Sequence, residues 1–474
     1  MLLTDARVGE ALVDLAIEGG AIAAILPAGS DRSGQELVAL DGRRVIPGLW
    51  DNHVHIGQWA LTASRLDVSG CTSAAQVAAV IRDSGRTESP LVAVGFRDAL
   101  WPDRPSTALL DGIGPGPVAV VSGDLHAVWL NTAAVALYGV RDAPDGVVRE
   151  DEAFRVIALI DTVADTRLDG WVEHTARAAA ARGVVGIVDY EMSDNHAAWL
   201  RRRASGFGAL RVEFGIYAEH LDDAIARGLR TGAAVDELVT VGGLKVLTDG
   251  SLNTRTAYTF DDYPGLEHTE RPHGLLTVPP SELLPLLRRA TAAGILPAVH
   301  AIGDQANSLA LDAFEELGCG GRIEHAQLLT EGDIARFARL GVAASVQPDH
   351  AMDDRDVAER YWPGRTARAF PLRALLDAGA RLLFGSDAPV SPLDPWLAIA
   401  AAVTRTRGAR EPWHPEQAIT LDEAIHASTR SSLAVGQVAD LAILDDDPFA
   451  SPTELRATAV GATLVAGRFT HRAL

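Results

Sequence analysis

The middle of the chain alternates short, mostly apolar runs with longer amphipathic stretches rich in alanine. The short runs lie at 49–55, 184–190, 211–217, 241–248, 295–301, 321–326, 341–347 and 381–387. Near-continuous apolar character over such lengths is the pattern of strands buried on both faces. The stretches between them fit helices at about 170–182, 221–230, 281–293, 304–317, 331–340 and 371–378, with Ser281 as the N-cap of the third. Strand and helix in alternation predict βα units and a parallel sheet. Eight such strands predict an α/β fold of the TIM type, a (β/α)8 barrel, whose functional site lies at the C-terminal ends of its strands.

Both ends of the chain read differently. ALVDLAIEGGAIAAILPAG places two apolar runs around Gly19–Gly20, a hairpin pattern, and LVALDGRRVIPGL repeats it around Asp41–Gly42. The C-terminus has the same character in ADLAILDDD and AVGATLVAGRFTH, with Gly467–Arg468 as the turn. The economical reading is one small β-sandwich domain built from residues 1–46 and 435–474, with the barrel at 47–434 inserted between them. Residues 58–180 break the barrel rhythm. They hold two more strand-like runs, 91–96 and 117–123, amid loops rich in Pro and Gly, and read as an insertion after the first barrel strand that caps the mouth. The alternative is that one of these runs is a barrel strand and RVEFGIY (211–217) is not.

Composition narrows the function. The chain has 474 residues, 47% of them hydrophobic, enough for a large core. Its net charge of −21 argues against nucleic acid and against anionic membrane surfaces, since both need clustered Lys and Arg. Two cysteines, Cys71 and Cys319, exclude a disulfide framework and thiolate zinc fingers. With no signal-peptide pattern and no apolar stretch long enough to span a bilayer, the expected setting is cytoplasmic. The expected partners are a small-molecule substrate and, as for many acidic barrel proteins, a second copy of the chain in a homodimer.

Candidate chemistry gathers at the ends of the strands. The stretch Val45–His55, VIPGLWDNHVH, is apolar in its first half, is broken by Pro47 and Gly48, and ends in His53 and His55. Residues two apart on a strand face one side, so two imidazoles there can share a metal ion. AVHAIGD carries His300, RIEHAQ carries His325, LLFGSDAP carries Asp387 and GGLKVLTDG carries Lys245, each at or just past the end of a predicted strand. Each has a structural alternative. A lone histidine is commonly a hydrogen-bonded core residue, Lys245 can pair with Asp249 or reach solvent, and Asp387 can cap a helix.

Six motifs in this order, PGLWDNHVH, GGLKVLTDGSLNTRTA, VHAIGDQAN, RIEHAQ, SVQPDH and FGSDAPVSP, resemble the amidohydrolase superfamily. The closest likeness is to its amidohydrolase-3 branch, the YtcJ-like metal-dependent hydrolases, which includes N-substituted formamide deformylase. The resemblance implies a metal-bearing (β/α)8 barrel flanked by a small β domain. It implies that His53, His55 and Asp387 hold one divalent ion, Zn²⁺ by ligand type, and that His300 and His325 hold a second. Lys245 is then the residue whose neutral amine can take up carbon dioxide, giving a carboxylated lysine that bridges two ions; without it the site carries one. Asp387 acts as general base toward a water whose pKa a metal lowers to about 7, then as acid toward the departing amine. Lys245 and Asp387 are thus the catalytic candidates. His126, Asp249, Arg255, Gln347 and His350 are weaker candidates for substrate contact. Arg255 can clamp a carboxylate or pair with Asp261 or Asp262. Trp59, Trp101, Trp129 and Trp362 suggest a neutral to apolar pocket.

The expected function is hydrolysis of a C–N bond in an amide or N-substituted formamide. A cyclic amide, an aminated ring or an ester on the same site is the near alternative, because fold does not select among them. A regulatory or ligand-binding protein on the same scaffold is the alternative of another class.

Overall fold

The computed structural model describes all residues except 31–33, 35, 97, 99–100, 123–126 and 451–453, and at 144, 150 and 151 it describes the backbone alone. Backbone contacts divide the chain into two compact units, Met1–Gln58 with Glu173–Leu474, and Trp59–Val172.

The first unit contains the eight parallel strands of the barrel: β1 Leu49–Val54, β2 Val184–Asp189, β3 Arg211–Tyr217, β4 Val239–Leu247, β5 Pro297–Ala301, β6 Gly321–His325, β7 Val342–Val346 and β8 Leu382–Phe384. They pair in sequence order, with β1 beside β2, and RVEFGIY is indeed β3. Helices Asp304–Leu317 and Glu331–Leu340 have the predicted bounds. Helix Pro280–Ala292 starts on Pro280 with Pro279 at the N-cap, so Ser281 lies inside its first turn rather than capping it. Proline preset for helical φ fixes that start before a serine hydroxyl is needed. Several helices escaped the sequence pattern, among them His350–Tyr361 and Pro395–Thr404. The first is polar and the second is apolar on nearly every face, so neither carries an amphipathic stripe.

The barrel closes between β8 and β1 with little regular ladder. His55 N–H donates to Ala388 O at 2.9 Å and Asp387 N–H to His53 O at 2.7 Å, around an isolated bridge from Val54 to Ala388. Side chains of β1 complete the seam. Asp51 Oδ1 accepts from Ser386 N–H at 2.9 Å, and Asn52 Nδ2 donates to Phe384 O at 2.9 Å. Gly385 allows the close approach, for a Cβ there would lie 2.6 Å from His53 N.

The same unit contains one connected eight-stranded sheet made from both termini. Its order is Arg468–Arg472, Val460–Val465, Leu441–Leu444, Arg44–Pro47, Leu2–Val8, Ala11–Glu18 and Ala21–Pro27, with Leu37–Ala39 also on Leu2–Val8. Leu3, Leu15 and Ile22 of one wing share a core with Ile443 and Leu464 of the other. Asp41–Gly42 makes a turn, but its flanking strands do not pair with each other; both pair with Leu2–Val8. The apolar run Val45–Trp50 therefore serves two sheets. It crosses from one to the other at Gly48, where a Cβ would meet the Val185 side chain at 2.2 Å.

The second unit has its own five-stranded sheet, ordered Val147–Arg149, Ala127–Leu130, Val118–Ser122, Leu91–Phe96 and Leu66–Asp67. Val118 and Val120 pack in one core with Val77 and Ile81, while Ala119 and Val121 pack in another with Val156 and Ile160. Alternate residues face opposite sides of a strand, so both faces of this sheet are covered. The runs 91–96 and 117–123 belong here and not to the barrel.

Inside the barrel a ladder of charges crosses from β3 to β6. Glu213 of β3 hydrogen-bonds Arg322 of β6, and its other oxygen accepts from Arg430 Nη1 at 2.7 Å. Arg322 Nε lies 3.3 Å from Glu324 Oε1. Arg430 also donates to Asn52 Oδ1 at 2.7 Å and lies over the Trp50 ring. Among the described residues no helix is long and apolar enough to cross a membrane.

Candidate metal centre

His53 ends β1 facing the barrel interior, 1% exposed. Its Nδ1 lies 2.7 Å from Glu324 Oε2. Glu324 is fully buried on β6 and accepts from Tyr190 OH at 2.9 Å. Burial alone would raise the Glu324 carboxyl, but His53, Arg322 and Lys245 hold it down at about 2. An ionised Glu324 keeps the proton on His53 Nδ1 and turns the Nε2 lone pair outward. Burial, with Lys245 nearby, lowers the His53 pKa to about 4, so the ring is neutral as a metal ligand must be.

His53 Nε2 faces two groups, Asp387 Oδ1 at 3.4 Å and Lys245 Nζ at 3.3 Å. Lys245 is 2% exposed on β4, with its Nζ 4.6 Å from the centre of the Tyr190 ring. It neither reaches solvent nor pairs with Asp249. Burial lowers its pKa to about 8, against the pull of Glu324 and Asp387. The Tyr190 face attracts an ammonium, but burial beside a neutral imidazole, with no carboxylate bonded to Nζ, favours the amine.

Asp387 follows β8 with a left-handed backbone, φ 56°. It does not cap the next helix; Asp394 does. Its Oδ1 lies 3.4 Å from both His53 Nε2 and His55 Nε2. Burial by itself raises the carboxyl, yet His53, the hydrogen bond from His55, His325 and His350 hold it well below the usual range. His325, also left-handed at φ 76°, ends β6 with Nδ1 2.8 Å from Gln347 Oε1. Burial and His300 push the His325 pKa well down. The His300 and His325 rings meet edge to face, centroids 4.4 Å apart. Two left-handed non-glycine residues at one centre are stored strain of the kind that gathers at functional sites.

Ligand atoms of His53, His55 and Asp387 all lie within 4.8 Å of one another, and so do those of His325, His350 and Asp387. His55 Nδ1 and His350 Nε2 are buried without a hydrogen-bond partner among the described residues. Imidazoles and a carboxylate converging with unsatisfied nitrogens fit a divalent cation. A cavity of about 430 Å³ opens on this group.

The structure redistributes the weaker candidates. His350 lines the cavity, and so do His53, His55, Lys245, His300, His325 and Asp387. Asp249 does not. Its carboxylate accepts from Ile302 N–H at 3.0 Å, Gly303 N–H at 2.9 Å and Tyr258 N–H at 2.9 Å, and lies 3.3 Å from His300 Nε2. It orients His300 and leaves Nδ1 as the free nitrogen. Gln347 likewise positions His325 and is absent from the cavity wall. Arg255 stands over the Tyr361 ring, away from the cavity, while Asp261 and Asp262 pair with Arg365 and His273. His126 lies outside the described residues. None of the four tryptophans lines the cavity; Trp362 and Trp129 are fully buried in other cores.

Glu324, Tyr190 and the Arg322–Glu213–Arg430 ladder were not anticipated. The signal was present: Arg322 and Glu324 are two apart in the apolar run of β6, a charged stripe facing the barrel interior.

Three relatives match nearly the whole chain. Protein LONG AFTER FAR-RED 3 of Arabidopsis thaliana is 28% identical over 91% of this chain and 83% of its own. Putative amidohydrolase YtcJ of Bacillus subtilis (strain 168) is 27% identical over 92% and 90%. N-substituted formamide deformylase of Arthrobacter pascens is 27% identical over 91% and 89%. The fold is that of an uncharacterized metal-dependent hydrolase from Pyrococcus horikoshii OT3, with a TM-score of 0.80, 24% identity and 99% of both chains covered. The amidohydrolase family model matches residues 36–471, and the chain belongs to that family of hydrolases.

Proposed function

We propose that the chain is a metal-dependent hydrolase of a C–N bond in an amide or N-substituted formamide. The observation that carries this reading is the convergence of His53, His55 and Asp387 within 4.8 Å, beside His325 and His350, at the ends of the barrel strands. The activity named for the formamide deformylase relative supports the bond type.

In this reading His53, His55 and Asp387 would hold one divalent ion, Zn²⁺ by ligand type, and His300 with His325 would hold a second. A bound ion supplies Lewis acidity toward the carbonyl oxygen and an acidified water. Asp387, ionised and facing both His53 and His55, takes the proton of the attacking water and passes it to the departing nitrogen, which leaves poorly unless protonated. Glu324 keeps His53 neutral and aimed. Lys245, as a neutral amine, adds carbon dioxide and releases one proton to give an anionic carbamate. That anion would put a negatively charged ligand where the neutral amine stands.

The test is metal per chain by inductively coupled plasma mass spectrometry, on wild type and Lys245→Ala purified without chelator. Near two ions falling to one or none supports the carbamate. Near one, unchanged in the variant, removes the bridge and leaves a one-metal hydrolase. No metal in a folded wild type overturns the reading.

A further inference from the structure

The cavity wall outside the metal centre is acidic and apolar. Apart from Lys245, no lysine or arginine among the described residues lines it. The acidic side chains beyond Asp387 are Asp353 and Asp354, both on helix His350–Tyr361. Asp353 already has a cation, since Arg407 donates to both of its oxygens. Asp354 has none. It is 8% exposed, its Oδ1 accepts from the neutral Asn253 Nδ2 at 2.7 Å, and no Arg or Lys pairs with it among the described residues. Burial pushes its carboxyl up, against the pull of His350 and of the Asn253 hydrogen bond. A buried carboxylate without a counter-ion is unfavourable, and the side open to a partner is the cavity.

The rest of the wall is of another kind. Met192, Leu247 and Val390 are exposed by 58%, 39% and 66%, high values for large apolar residues, and all three line this cavity with Leu252, Ile302 and Pro389. Apolar groups clustered at one cavity mark a surface for apolar ligand atoms. Arg255, the one sequence candidate for gripping a substrate carboxylate, is elsewhere.

We propose that Asp354 is a specificity determinant and that the substrate is an amide or formamide carrying an apolar segment and an ammonium group. The ammonium sits at Asp354 and the apolar segment lies on Leu247, Met192 and Val390. Substrates bearing a carboxylate are rejected by Asp354. The chemistry remains amide plus water to acid plus amine, so this inference rests on the hydrolytic reading above.

Three compounds of matched length test it: N-(6-aminohexyl)formamide, N-hexylformamide and 6-formamidohexanoate. Turnover is measured on the metal-loaded wild type. Binding is measured by calorimetry on Asp387→Asn, whose turnover is slowed by about a hundredfold or more. A charge-assisted hydrogen bond in a partly dry site gives the cationic compound about a tenfold advantage or more over the neutral one. The anionic compound falls at least as far below. In Asp354→Asn the ratio of cationic to neutral collapses to within about threefold. Equal binding of all three, or preference for the anion, overturns the proposal whether or not any is hydrolysed. The expected binding order without turnover of any compound keeps the specificity and sinks the formamide reaction instead.

Discussion

The two ends of the barrel interior hold the same kinds of side chain and treat them in opposite ways. In the ladder, Glu213 satisfies both Arg322 and Arg430, and Arg322 continues to Glu324. At the strand ends, Lys245 meets a neutral imidazole, His55 Nδ1 and His350 Nε2 have no partner among the described residues, and Asp387 and His325 hold left-handed backbones. Buried charges that are fully paired close a structure. Buried polar groups left open and strained are arranged for something the polypeptide does not itself contain. Glu324 joins the two regions, since one oxygen lies beside Arg322 and the other holds His53.

The comparison breaks most sharply by removing one carboxylate from each region. Asp387→Asn should lower kcat/KM by about 10²–10⁴, the scale of general acid–base catalysis, while the melting temperature of the metal-free protein stays within a few degrees. Glu213→Leu should do the reverse to stability. It strands two arginines, costs about 3 kcal/mol in denaturant unfolding, and leaves the folded fraction with its metal ligands in place. If Asp387→Asn unfolds the protein, or Glu213→Leu is silent, the division between the regions is wrong.

Lys245 gives the next largest effect, and its size depends on pH. Its folded pKa of about 8 lies below the ordinary 10.5, so the unfolded chain binds the extra proton between those values. The lysine therefore destabilises the fold below pH 8, and that penalty fades as pH rises to about 10.5. Metal-free and in carbonate-free buffer, Lys245→Met should be more stable than wild type by about 3 kcal/mol at pH 7 and about equal at pH 10.5. A stability difference flat across that range would mean that the lysine is already paired. The smallest effect sharpens the link between the regions. Glu324→Gln keeps an acceptor for His53 Nδ1 but loses the charge, and should weaken metal binding by about tenfold in chelator competition. Glu324→Leu, which removes the acceptor as well, should approach a hundredfold.

Much of the barrel could be read from the chain because each strand is a nearly continuous apolar run and needs no partner to announce it. His53, His55, His300, His325, Lys245 and Asp387 could be named because strand ends are visible in such a pattern and a barrel brings all its strand ends to one place. What tertiary structure alone decided is which polar atoms meet. Asp249 and Gln347 stand one loop away from the ligands in sequence, yet backbone N–H groups and His325 claim them. Asp354 lies on a helix with no amphipathic stripe, and its lack of an arginine or lysine among the described residues is a fact about its neighbours. Local periodicity fixes where a residue points along its own element. Whether a buried carboxylate finds an arginine, an imidazole or an open cavity depends on chain a hundred or more residues away, as Glu324 and His53 show across 271 positions.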